Sequence, residues 1–216
     1  MARDNEEYLQ PSELCNFDRS PEIVERARAL TADCHSGDEM FRSIFSFVKE
    51  LPYGLEDWDV AASETLAKGW GMCSGKTNLL VALLRSVGIP AGYRVYRIRP
   101  EASLWEWITQ DGELARHMGN VPPEQDHVDC EVWLDRWREC DPSRDTPFER
   151  GLRELGISLE REAVAGESGR VEYLKLASFD RWARERQERR AFRENRDELF
   201  AWVNEQFRRI RSLGGE

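Results

Sequence analysis

GMCSGKTNLLVALLRSVGIP, residues 71–90, is the stretch whose reading decides the fold. A glycine-rich turn that opens at Gly69 runs into an apolar stretch from Leu79 to Val87, which Gly88 and Pro90 close. Turn signals on both sides of an apolar run predict a loop that delivers a buried helix. Cys73 stands where turn becomes helix, so its thiol should lie near unsatisfied N–H groups and the positive end of the helix dipole. That position favours the thiolate, the nucleophilic form. The N–H of Cys73 and of its neighbours would also point toward an oxygen that gains negative charge when a carbonyl is attacked. A lone cysteine is more often a small buried apolar residue, so Cys73 needs partners before it means chemistry.

GWGMCSGKT, residues 69–77, also resembles the phosphate loop GxxxxGK[ST], but fails it by one residue. Counting back from Gly75, the required glycine position holds Trp70, and the preceding ASETLAK is too polar for the buried strand that should carry such a loop. Nucleotide binding is therefore not expected.

Upstream, Ser20 and Pro21 read as N-cap and first helical residue before Ile23, Val24, Ala27 and Leu30 at helical spacing. Beyond Ser36 and Gly37, Met40, Phe41, Ile44, Phe45 and Val48 predict a second amphipathic helix, ended by Pro52 and Gly54. The polar segment through Ser63 and Glu64 reads as loop. Downstream, YRVYRI (93–98), HVDCEVWL (127–134) and WRECD (137–141) read as strands, the last two joined tightly around Asp135 and Arg136. Helices thus precede a mainly antiparallel sheet, an α+β pattern.

Of the three histidines, His127 opens a strand, whereas His35 and His117 lie on less rigid elements, so His127 is the preferred base. Asp141 ends the next strand and could hold the second imidazole nitrogen, fixing tautomer and orientation. Val128, Cys130, Val132 and Leu134 form an apolar face, which leaves His127, Asp129, Glu131 and Trp133 on the other. A two-residue turn at Asp135 and Arg136 would pair Cys130 with Asp141 and part His127 from Asp141; an odd-length loop or bulge would place them on one face, with Cys130 opposite Cys140 as free thiols.

At 216 residues the chain can bury a core without disulfides or structural metal, and one domain is the expectation. Its parts are a core of about 20–145, an insertion of about 99–126 and a helical C-terminal extension of about 146–216. The insertion, with Trp105, Trp107 and Ile108 in a helix and then Gly119, Pro122 and Pro123, either borders the substrate cleft or covers a sheet edge. From Ser178 to Leu213 the Arg/Glu-rich tail reads as helices with a solvated face. A net charge of -10 disfavours nucleic acid as partner, and no leader or membrane span is read from the start or the apolar runs. Five scattered cysteines without CxxC spacing indicate neither a disulfide framework nor a metal site, so a cytoplasmic protein without metal or cofactor is expected.

Two stretches together, ASETLAKGWGMCSGKTNLLVALLRSVGIPAGYRV from Ala62 and HVDCEVWLDRWRECDPS from His127, resemble the nucleophile region and the histidine–aspartate hairpin of the transglutaminase-like superfamily. The resemblance covers roughly half the chain. It implies a papain-like core, with a nucleophile helix packed on an antiparallel sheet, Cys73 as nucleophile, His127 as base and Asp141 as orienter. It also implies acyl transfer through a thioester, on a peptide, protein or small amide or thioester substrate. The expected reaction is hydrolysis of an amide or peptide bond; transfer to an amine acceptor and a non-catalytic binding scaffold are the alternatives. Asp129 departs from the pattern, since family members commonly carry an aromatic residue two positions after the histidine. Lys76 could bring positive charge near the thiol, and Tyr53 or Trp70 could supply a second oxyanion donor.

Overall fold

The structure is a computed structural model that describes residues 5–110, 124–188 and 196–215. Among these residues eight α-helices surround a four-stranded sheet. The order is α1 (Pro21–Thr31), α2 (Gly37–Glu50), α3 (Ala62–Lys68), α4 (Cys73–Ser86), β1 (Ala91–Ile98), α5 (Ala102–Ile108), β2 (Gln125–Trp133), β3 (Trp137–Cys140), α6 (Thr146–Glu154), β4 (Leu174–Leu176), α7 (Asp180–Glu188) and α8 (Arg196–Leu213). Gly119, Pro122, Pro123, His117 and Phe192, all singled out in the sequence, lie outside the described residues.

The central element is α4, in which every residue from Cys73 to Arg85 is buried. It packs on β1 and β2 and is wrapped by α1, α2 and α3, which explains why its sequence is apolar on all sides instead of striped. Ser36 starts α2 as its pattern predicts, with the hydroxyl accepting the Glu39 N–H at 3.2 Å. Residues 62–68, read from sequence as loop, form α3 instead. Its polar surface is the outer face of a short helix whose Ala62 and Thr65 are buried.

The sheet is antiparallel throughout, in the order β3-β2-β1-β4. Tyr93 lies opposite Cys130 and Val95 opposite Val128, so these side chains, with Ala91 and Val132, form the face that packs in the main core beneath α4. The other face presents Arg94, Tyr96, His127, Asp129 and Glu131. It is buried as well, and its charges are paired: Arg94 grips Asp129 with two bonds of 2.8 and 2.7 Å, and Lys175 reaches Glu131 at 2.5 Å. Lys175 comes from β4, a strand supplied by the C-terminal extension that the sequence reading did not find. Three residues long and rich in polar neighbours, β4 has no periodicity to reveal it.

Trp133 pairs with Trp137, so the β2–β3 loop is the three-residue segment 134–136, and Cys130 stands opposite Cys140. All five cysteines are free thiols. A second core gathers Leu104 and Ile108 of α5, Phe148 and Leu152 of α6, Ile157, and Val203, Phe207 and Ile210 of α8. Trp105 and Trp107 pack against this core, so α5 covers it. No helix among the described residues is long and apolar enough to cross a membrane.

Lys76 ties these parts together. Fully buried on α4, its ammonium donates to the carbonyls of Lys49 (3.0 Å), Leu51 (2.6 Å) and Ser143 (3.0 Å). Burial pushes its pKa down to about 7, yet three carbonyl acceptors suit the charged form, which alone has three donors. Two of those carbonyls belong to the C-terminal end of α2, where positive charge is favoured. The place near the thiol considered for Lys76 is therefore not where its charge is spent. Lys76→Met should leave buried carbonyls unpaired and cost roughly 3 kcal/mol or more in urea unfolding; an unchanged midpoint would remove the clamp from the account.

Candidate active site

The turn that delivers Cys73 depends on three glycines. Gly69 ends α3 in the left-handed region, at φ 71°. Gly71 and Gly75 answer a close approach by the buried carboxylate of Glu56, which pairs with Lys68 and accepts the Met72 N–H at 2.8 Å. A Cβ on Gly75 would run into that carboxylate and the Thr65 hydroxyl. The turn therefore resembles a phosphate loop for a physical reason: it seats an anion at a helix N-terminus, and the anion is the chain's own Glu56. The N–H of Cys73 meets no acceptor among the described residues.

His127 is buried on β2, opposite Tyr96, with the two rings edge to face at 5.3 Å. Its Nε2 lies 3.1 Å from Asp141 Oδ2, and the Cys73 side chain is among the neighbours that raise the imidazole pKa. Asp141, just past β3, is fixed by Ser143, whose N–H and hydroxyl donate to Oδ1 at 2.9 and 2.5 Å. The three-residue hairpin loop provides the register that a shared face for His127 and Asp141 requires. The three residues picked from sequence are thus brought together.

Four further groups were not legible in the sequence. Arg161 donates to Asp141 Oδ2 and brings Nη1 within 3.2 Å of His127 Nε2. Its strap is pinned to the end of β1, where the Arg99 N–H donates to Glu162 O (2.9 Å) and the Val164 N–H to Arg97 O (2.8 Å). Nothing in the irregular segment around Arg161 marks it; only the fold supplies its address. Arg94 neutralises Asp129, so the carboxylate that departs from the family pattern is held by a neighbouring strand, and Tyr96 donates its hydroxyl to Asp129 at 3.1 Å. Alternation in YRVYRI places Arg94 and Tyr96 on one face, a signal that could have paired Arg94 with Asp129. Arg144 belongs to the same neighbourhood as Asp141, Arg161 and Tyr53.

Tyr53 and Trp70, left open as donors, have different surroundings. Burial and the charge of Cys73 keep the Tyr53 hydroxyl protonated well above its ordinary range, so it is a donor close to the thiol. Trp70 lies against Lys68, whose Nζ is 4.5 Å from the ring centre. The Tyr53 loop is held by α8: Asn204 accepts the Leu55 N–H at 2.6 Å and donates to its carbonyl at 2.9 Å, and Arg211 binds Tyr53 O and Asp145.

The electrostatics follow from these contacts. Burial lowers the His127 pKa and Arg161 lowers it further, but the charge and hydrogen bond of Asp141, with the bond to Cys73, prevail and push it up to about 9. Against burial, which raises it, Arg161 and then His127 hold the Asp141 carboxyl well below its ordinary value. Among the described residues no group of three or more His, Cys, Asp or Glu is placed to hold a metal ion.

A family model, Transglutaminase-like superfamily, matches residues 24–142, which contain Cys73, His127 and Asp141. No curated protein matches the sequence. Among solved structures, that of a proposed cysteine protease from Cytophaga hutchinsonii is similar in fold, with a TM-score of 0.50 at 17% sequence identity over 82% of this chain and 57% of that one. The chain therefore spans little more than half the length of that neighbour.

The His127 imidazole should titrate near pH 9 by NMR. Asp141→Asn should lower the midpoint and Arg161→Gln should raise it, because one charge favours and the other opposes the imidazolium. The folded value exceeds the ordinary one of about 6.5, so His127 contributes stability that is complete below about pH 6.5 and lost as pH rises through about 9. A midpoint insensitive to both substitutions would contradict this arrangement.

Proposed function

The chain belongs to the transglutaminase-like superfamily, and from that premise we propose that it is a thiol-dependent acyl-transfer enzyme that hydrolyses an amide or peptide bond through Cys73, His127 and Asp141. Family membership and the similar fold support a thiol-dependent enzyme at the coarser level. One observation carries the finer reading: the buried imidazole of His127 contacts the Asp141 carboxylate and has the Cys73 side chain among the neighbours that raise its pKa. Substrates of this reading are peptides, proteins or small amides and thioesters.

The Cys73 sulfur gives its proton to His127 and attacks the carbonyl carbon, while the C=O electron pair moves onto oxygen. That oxygen meets the free N–H of Cys73 and the Tyr53 hydroxyl, and each such donor is worth roughly 10² to 10³ in rate. His127 then protonates the leaving nitrogen as the C–N bond breaks, which leaves a thioester on Cys73. Water, deprotonated by His127, attacks the thioester; the acid departs and the proton returns to sulfur. Asp141 stabilises the imidazolium at each stage, and Arg161 limits how far the imidazole pKa rises.

Cys73→Ala should abolish turnover of an activated amide or ester while the unfolding midpoint stays near wild type, since a small residue suits a helix start. Activity at the wild-type rate would end the proposal. A thiol-directed probe mapped by mass spectrometry should label Cys73 ahead of the other cysteines. A labelled primary amine supplied with the acyl donor separates the two fates of the thioester: hydrolysis leaves the label free, and transfer incorporates it.

A further inference from the structure

Arg144 is the guanidinium near this site without a carboxylate partner among the described residues. It lies three residues beyond Asp141, half-buried, and Nη1 donates to Leu159 O at 3.0 Å. Its other N–H groups meet no acceptor among the described residues, and none is sealed from solvent. The nearby carboxylates are engaged elsewhere. Asp141 is shared by His127 and Arg161, Glu149 is held by Lys49 at 2.5 Å, and Asp129 is gripped by Arg94. Burial, and then the repulsion of Arg161, push the Arg144 pKa down to about 10. Among the described residues, Arg144 and Arg161 thus have one nearby carboxylate between them, that of Asp141, and it is taken by Arg161 and His127.

We propose, on the acyl-transfer reading above, that the acyl donor carries a carboxylate of its own close to the scissile carbonyl, and that Arg144 binds it with Arg161 alongside. A guanidinium offers two parallel N–H donors to a carboxylate, which fixes orientation as well as charge. Leu159 O occupies only Nη1, so the fork retains donors for a ligand. Seated there, the carboxylate turns the substrate toward Cys73 and pairs with the guanidinium. Neutral amides lack this contact and bind less well.

Iodoacetate and iodoacetamide test the inference, since both present the same carbon to the sulfur, lose iodide and differ in carboxylate against carboxamide. The readout is the ratio of their alkylation rates at Cys73. It should fall about tenfold in Arg144→Gln, the size of one hydrogen bond to a charged group, and be only partly kept in Arg144→Lys, which retains the charge without the fork. A structural role for Arg144 would slow both reagents alike and leave the ratio unchanged, which would overturn the proposal. A second measurement does not depend on the nucleophile: succinate should raise the Tm of Cys73→Ala, and Arg144→Gln in that background should remove the shift. Absence of any succinate shift in Cys73→Ala also overturns the proposal. If Cys73 reacts with neither reagent faster than an ordinary thiol, the acyl-transfer reading fails, while the succinate result still decides whether Arg144 binds a carboxylate.

Discussion

Three segments far apart in sequence converge on the ammonium of Lys76. Lys76 stands one turn into the helix that begins with Cys73; Leu51 precedes the Tyr53 loop; Ser143 follows Asp141 and fixes its carboxylate. A buried cation shared among backbone carbonyls has no slack, because each acceptor it loses becomes an unpaired polar group in the interior. The distance between nucleophile and orienting carboxylate is therefore set from below, by a residue that touches neither. Glu56 does the corresponding work on the other side of the turn, where its fit against Gly71 and Gly75 leaves no room for larger residues.

On this frame the charges of the site are arranged in opposition. Asp141 draws a proton onto His127, and Arg161 pushes it away while pairing with the same carboxylate. Without the arginine, burial alone would oppose Asp141, and the imidazole would hold its proton more tightly. Asp129, which from sequence looked like an extra negative charge beside the histidine, is held by Arg94, and the sheet face beneath the site is close to neutral.

The parts legible in the sequence were those with local signatures. The apolar run after Cys73, the glycine turn and the alternation around His127 each reflect a period or a breaker, and residue spacing reports those directly. The facing of His127 and Asp141 was narrowed to a choice of loop length, because alternation fixes faces within a strand but not the register between strands. The polar surface of α3 concealed a helix that is buried on one side only. The strand β4, Arg161 and the grip of α8 on Tyr53–Leu55 depend on contacts across long separations, for which a single sequence carries no periodic signal. GWGMCSGKT shows a different case, in which the near-match to an anion loop was physically apt although the ligand is a side chain.

The grip of α8 has a consequence for how the protein is made. Asn204 and Leu55 are 149 residues apart and Arg211 and Tyr53 are 158 apart. During synthesis Cys73, His127, Asp141 and Arg161 are all translated before the helix that clamps the tyrosine loop. A nascent chain thus carries Cys73 before the helix that holds the Tyr53 loop. Contacts this distant close late, after local helices and the hairpin have formed. The surroundings of Cys73 are then completed only with the last described helix, and until that point the emerging polypeptide carries a thiol without its full packing.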